Sequence, residues 1–138
     1  MWRRRAVSLE ERASQVRRVS PTEACALMAE GFVYLDVRTE EEFADGHPVG
    51  AVNMPFAAGA DAFTHEDFAE AVEARFGRDA RLCVGCRSGV RSLVAARVLL
   101  RHGFHEVVEQ RAGFDGARGT FGELTEPGWR RLGLPSSP

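Results

Sequence analysis

The chain has 138 residues, one domain's worth of polypeptide. At that length folding buries roughly two-thirds of the surface the unfolded chain exposes, so a core forms without disulfide or metal staples. Hydrophobic residues make up 44 % and charged residues 28 %, which excludes a disordered or fibrous chain, and no apolar run approaches the roughly 20 residues that cross a bilayer. The net charge is −2 and all 18 basic residues are arginine. Neither nucleic acid nor a membrane is therefore an expected partner, and lysine Schiff-base chemistry and lysine-dependent phosphate loops are excluded.

Residues 1–18 are highly charged, with Arg3, Arg4, Arg5, Glu10, Glu11, Arg12, Arg17 and Arg18, and read as an exposed, partly helical extension ahead of a domain over 19–138. The basic start runs into Glu10 and Glu11 instead of the apolar stretch of an export signal, and three cysteines make no disulfide framework, so the cytoplasm is the expected location. Ser20-Pro21-Thr22-Glu23 is a capping box with proline at the first helical position, predicting a helix that stops at Gly31. The near-continuous apolar run 32–37 predicts a strand covered on both faces. Thr39 and Glu42 form a second capping box over a short helix, and 51–54 is a brief strand before Pro55. Phe68, Val72 and Phe76 share one stripe of a helix over 64–76 that Gly77 ends. Residues 81–84 predict a strand, 85–89 a tight loop, and Val90, Leu93, Val94, Val98 and Leu99 a helical apolar stripe ending at Gly103. After a last strand at 106–109, glycines at 113, 116, 119, 122 and 128 predict loops. Strands alternating with helices give an α/β fold with a mostly parallel sheet and helices on both faces, which binds ligands at the carboxyl ends of its strands.

The chemistry concentrates in Cys86-Arg87-Ser88-Gly89-Val90-Arg91-Ser92, between a strand end and a helix start. Backbone N–H groups from Arg87 to Ser92 can converge there as an anion-binding nest, and the helix dipole with Arg87 and Arg91 favours the thiolate, the nucleophilic form of cysteine. Between Asp79 and Glu106 the sequence has no carboxylate but five arginines, so a positive field around Cys86 and an anionic substrate are expected. The bland alternative, a cysteine that is only a small buried hydrophobe, fits poorly with Gly and Arg neighbours at a strand–helix turn.

This loop resembles the active-site loop of the rhodanese-like sulfurtransferases. So do Asp36-Val37-Arg38 with Glu41, Glu42 and Phe43, the element Gly46-His47-Pro48-Val49-Gly50-Ala51-Val52-Asn53-Met54-Pro55, and Gly103-Phe104. Pro48 stands where isoleucine is usual, and Ala112-Gly113 where two glycines are. The resemblance implies a three-layer rhodanese-like fold with a mostly parallel sheet of about five strands. It implies a thiosulfate sulfurtransferase in which Cys86 takes the sulfane sulfur of thiosulfate as a persulfide. Arg87, Ser88, Gly89, Val90, Arg91 and Ser92 would bind the donor, and cyanide, a thiol or a protein acceptor would remove the sulfur, with no metal or organic cofactor. A persulfide carrier loaded by a protein partner is the alternative function, and monomer and homodimer are both open. Phosphatases of similar fold separate cysteine and arginine by five residues, whereas four separate Cys86 from Arg91, so phosphatase or arsenate reductase chemistry ranks behind. Cys83 reads as core packing with a thiol-exchange role as the minority view, and Cys25 has no expected role. His47 is expected to be structural, and no histidine set has metal-ligand spacing. Asp36 and Arg38 are expected to form a buried ion pair supporting the sheet.

Overall fold

The computed structural model describes residues 7–138. Ser8 accepts the Glu11 N–H and opens α1 (Leu9–Ser14), after which Arg17–Val19 form β1. The expected capping box of Ser20 and Glu23 closes over α2 (Pro21–Ala29), and β2 (Val33–Asp36) follows. The second box, Thr39 with Glu42, opens α3 (Glu40–Ala44). Two-residue strands β3 (His47–Pro48) and β4 (Val52–Asn53) precede α4 (Ala62–Phe76), which starts two residues earlier than expected because Asp61 caps it. Then come β5 (Arg81–Gly85), α5 (Arg91–Arg101) and β6 (Glu106–Gln110). The glycine-rich tail contains the antiparallel pair β7 (Ala117–Arg118) and β8 (Leu124–Glu126), and β9 (Ser136–Ser137) pairs back onto β3. The expectation of loops alone is corrected there.

Five strands form one sheet in the order β1-β6-β5-β2-β4, all parallel. Successive residues alternate faces, and the alternation divides the core into two layers. Leu35, Val37, Leu82, Val84 and Val107 pack with buried residues of α1, α4 and α5. Tyr34, Cys83 and Val108 pack with Ala24 of α2 and with Phe114 and Trp129 on the opposite face. This is the expected mostly parallel α/β sandwich with helices on both sides.

The amino-terminal segment departs from expectation. Arg3, Arg4 and Arg5 lie outside the described residues, but the rest of 7–18 is built into the fold. α1 lies against α5 with Ala13 fully buried, and β1 is the edge strand beside β6. The expected boundary at 18/19 falls inside β1. Charge alone reads as a solvated extension because three residues of edge strand, two of them exposed, carry no apolar periodicity.

Asp36 and Arg38 are both buried and joined by three side-chain hydrogen bonds, Nε to Oδ1 at 2.9 Å and to Oδ2 at 3.2 Å, and Nη2 to Oδ2 at 2.8 Å. Arg38 also donates to the Gly46 carbonyl at 2.7 Å and lies 4.6 Å from the centre of the Phe114 ring. The pair links the end of β2 to the turn before β3 and to the opposite core layer. Removing one partner strands a buried charge, which typically costs about 3–5 kcal/mol. Arg38→Leu should lower the stability measured by urea unfolding by about 3 kcal/mol, far more than an exposed arginine replacement.

Candidate active site

The loop from Cys86 to Val90 leaves the carboxyl end of β5 and runs into α5. Its two glycines have different causes. A Cβ on Gly85 would lie 1.9 Å from the Tyr34 hydroxyl, so the aromatic ring under the sheet excludes any side chain there. Gly89 has φ +89°, and its Cβ would lie 2.0 Å from the Arg111 carbonyl oxygen.

Cys86 is 2 % exposed. Its Sγ accepts the Gly89 N–H at 3.2 Å and lies 3.2 Å from Ser92 Oγ on the first turn of α5. The loop carbonyls point outward to donors from other elements. Phe114 N–H donates to the Cys86 carbonyl at 2.8 Å, Asp115 N–H to that of Arg87 at 2.9 Å, and Arg18 Nη2 to that of Gly89 at 3.0 Å. The Gln110 side chain accepts the N–H groups of Ala112 and Gly113 and donates to the Gly113 carbonyl, which fixes the turn that supplies these donors.

The other expected site residues divide. Ser88 is half-buried and Gly89 buried, both lining a cleft of about 740 Å³ with Arg18, Arg111 and Arg118. Val90, expected in the apolar stripe of the helix, instead caps α5 and is 67 % exposed at the cleft edge. Arg87 extends outward on the other side, 64 % exposed, and bonds Asp115 Oδ2 through Nε at 2.9 Å. It lines a second cleft of about 280 Å³ with Arg38, Glu42, Asp45, Asp115 and Arg130. Arg91 grips Glu42 with both Nη atoms, at 2.7 and 2.8 Å.

The expected positive field is therefore corrected. The linear separation of acids from arginines is undone by folding: Glu42 reaches Arg91, Asp115 reaches Arg87, Glu109 reaches Arg18 at 2.6 Å, and Glu126 reaches Arg111 at 2.9 Å. Arg18 and Glu109 are the residues sequence reasoning missed. Glu109 is 0 % exposed and accepts the hydroxyl proton of Ser92 on Oε2. Its position was within reach of parity, because residues 107 and 109 share the face that meets α5.

Cys83 and Cys86 belong to opposite core layers. Burial, with the nearby Glu109 charge, pushes the Cys83 thiol far up, so it stays protonated inside the sheet. Cys25 is half-buried on α2. His47 stacks on Phe43 at 3.6 Å and bonds the Phe43 carbonyl through Nδ1, a structural arrangement. Among the described residues no three His, Cys, Asp or Glu side chains gather as a metal site, and no helix is long and apolar enough to cross a membrane.

A buried cysteine at the carboxyl end of a parallel strand, with a loop N–H on its sulfur and arginines around it, defines an α/β protein with a cysteine-centred anion loop. The family model described as rhodanese-like domain matches residues 20–119, and the chain belongs to that family. It is 39 % identical over 120 residues to thiosulfate sulfurtransferase 16, chloroplastic, of Arabidopsis thaliana, covering 86 % of this chain and 90 % of that protein. Over 115 residues it is 35 % identical to thiosulfate sulfurtransferase GlpE of Ectopseudomonas mendocina, covering 83 % and 96 %. The crystal structure of Rv0390 from M. tuberculosis superposes with a TM-score of 0.70 at 28 % identity, covering 88 % and 97 %. These relatives make the family one of sulfurtransferases.

The Arg91 clamp, helped by the Thr39 cap, holds the Glu42 carboxyl down from its usual value near 4.5 to about 2. A depressed carboxylate contributes stability above its unfolded value and loses it as the pH falls through the folded one. Urea-unfolding midpoints should therefore fall between pH 4.5 and about 2 in the wild type and fall less in Glu42→Gln, which starts lower at neutral pH.

Proposed function

We propose that the protein is a thiosulfate sulfurtransferase that forms a persulfide on Cys86 and passes its outer sulfur to cyanide or to a thiol. The observation that carries this reading is the Gly89 N–H on Cys86 Sγ in a loop closed at both ends by the fold. That geometry stabilises negative charge on a sulfur at this point without a metal. The names of the relatives support thiosulfate as donor.

In the first step the Cys86 thiolate attacks the outer sulfur of thiosulfate. An S–S bond forms, the bond between that sulfur and the sulfonate breaks, and sulfite leaves with the electron pair. In the second step the acceptor attacks the outer sulfur, and the pair of the broken S–S bond returns to Cys86. This is covalent catalysis in two displacements, with no net redox change. The N–H groups of residues 87–92 hold the anion, Arg87 attracts the donor's sulfonate by exchanging part of its contact with Asp115, and Ser88, Gly89 and Val90 form the wall on the other side. Arg91, engaged by Glu42, holds α3 against the loop rather than reaching for the donor. A phosphatase reading is disfavoured for the same reason, since it needs that guanidinium on the phosphoryl group. The reading has the domain acting in the cytoplasm and counts β1, with Arg18, as part of it.

A persulfide carrier loaded by a protein partner is the second reading, favoured by the exposed Val90 beside the loop. Intact mass after brief thiosulfate treatment separates the two. A gain of one sulfur, reversed by cyanide with release of thiocyanate, is the outcome for the enzyme; no gain with thiosulfate but loading from a protein persulfide is the outcome for the carrier. Cys86→Ser should gain nothing while keeping its fold, and Cys83→Ser should keep most activity. If the Cys83 variant were as inactive as the Cys86 variant, the mechanism would be wrong. Arg87→Ala should raise the thiosulfate KM more than it lowers kcat, because the contact is made in ground and transition states alike.

A further inference from the structure

Glu109 is a fully buried carboxylate directly behind the loop, and the two displacement steps make no use of it. Burying a charge is costly unless it is paired, so its partners define what it does. Oε1 takes the Arg18 Nε–H at 2.6 Å, and Oε2 takes the proton of Ser92 Oγ. Ser92, itself fully buried, has one hydroxyl proton, and that proton is committed to Glu109. Toward Cys86, 3.2 Å away, its oxygen can then only accept, so in the resting protein the thiol proton of Cys86 closes that contact. The result is a directed chain from sulfur to hydroxyl to carboxylate. Arg18 completes it: the same guanidinium that holds Oε1 donates to the Gly89 carbonyl, one residue's length from the N–H that meets the sulfur.

We propose that Glu109, acting through Ser92, receives the thiol proton of Cys86 as the sulfur attacks and gives it back when the sulfur is released. The Cys86 S–H proton moves to Ser92 Oγ as the Ser92 O–H proton moves to Glu109 Oε2. Thiol, hydroxyl and carboxylate become thiolate, hydroxyl and carboxylic acid, with one negative charge throughout. The pair left on Sγ makes the bond to the donor's outer sulfur. When the acceptor takes that sulfur and the pair returns to Cys86, both protons run back. The proton stays within the protein for the whole cycle, and no oxidant, reductant or further base is consumed. Glu109 touches neither donor nor acceptor; it positions Ser92 and stores its proton.

The titratable groups within electrostatic reach of the chain are Arg18 from β1, Arg91 from α5, which Glu42 of α3 holds, and, across the sheet, Tyr34 and Asp36 from β2 and Cys83 from β5. Tyr34 and Cys83 are pushed up chiefly by burial and stay neutral, and Asp36 is tied to Arg38. Glu109 is the carboxylate joined to the sulfur through a hydroxyl.

The inference rests on Cys86 being the nucleophile but not on thiosulfate as donor, so the test uses neither donor nor acceptor. Iodoacetamide alkylation of the reduced protein is followed at the Cys86 peptide by mass spectrometry from about pH 5 to about pH 10, around the usual cysteine value. The wild type should keep a neutral-pH plateau below its alkaline rise, the two steps of a coupled pair. Glu109→Gln and Ser92→Ala should each lose the plateau and alkylate roughly tenfold more slowly at neutral pH, leaving a single alkaline rise. Glu109→Asp should regain part of the plateau. A carboxylate that merely sits beside the sulfur opposes its ionisation, so in that case Glu109→Gln would alkylate faster at neutral pH. Neutral-pH alkylation of Glu109→Gln as fast as the wild type or faster therefore overturns the relay, as does an unchanged profile in Ser92→Ala. If Glu109→Gln fails to fold, Ser92→Ala decides, since it leaves the buried ion pair with Arg18 intact. Loss of the plateau in both variants, together with no sulfur uptake from thiosulfate by the wild type, would sink the sulfurtransferase reading and leave the relay standing.

Discussion

Bending a loop so that the Gly89 N–H meets the Cys86 sulfur turns the loop's carbonyl groups the other way, and buried carbonyls must find donors. Much of this fold answers that requirement. The carbonyls of Cys86 and Arg87 are taken by the N–H groups of Phe114 and Asp115, and that of Gly89 by Arg18. The segment after β6 can serve only because the Gln110 side chain pins Ala112 and Gly113, and because Gly113, at φ +67°, brings the chain close under the Arg87 carbonyl. Arg18 can serve only because β1 adds to the sheet edge beside β6. The amino-terminal strand and the turn beyond the last core strand are thus parts of the loop, although they lie roughly seventy and thirty residues from it in sequence.

The arginines around the loop act as struts. Arg91 ties the start of α5 to α3, and Arg38 ties the end of β2 to the turn before β3. Arg87 and Arg130 converge on the same Asp115 carboxylate, and the Arg130 guanidinium lies 4.8 Å from the centre of the Phe114 ring. Each guanidinium offers several donors in a fixed plane, so one residue joins two or three segments. A chain without lysine makes consistent use of this property.

What could be read from the sequence was local or periodic. Both capping boxes rest on four consecutive residues, and both helices start where those residues stand. The apolar strands announce a sheet covered on two faces, and the loop after β5 declares itself by glycine and arginine flanking a cysteine. What escaped depends on distant partners. β1 is three residues long with a single buried side chain, too little for a period to emerge. Glu42 and Asp115 lie far from Arg91 and Arg87 in the sequence, so the charge map drawn along the chain gave the wrong field around Cys86. Glu109 reads as the polar end of a strand, although its parity with Val107 turns it inward under α5, where β6 sets it opposite Val84 of β5.

The pairing of Arg18, Arg87, Arg91 and Arg111 with carboxylates at 2.6–2.9 Å also governs how far the site can be felt from solution. A lone cation draws an anion from about one Debye length away, but a close pair is a dipole whose potential falls off more steeply. These four pairs therefore contribute little potential beyond contact distance, where four unpaired arginines would still be felt.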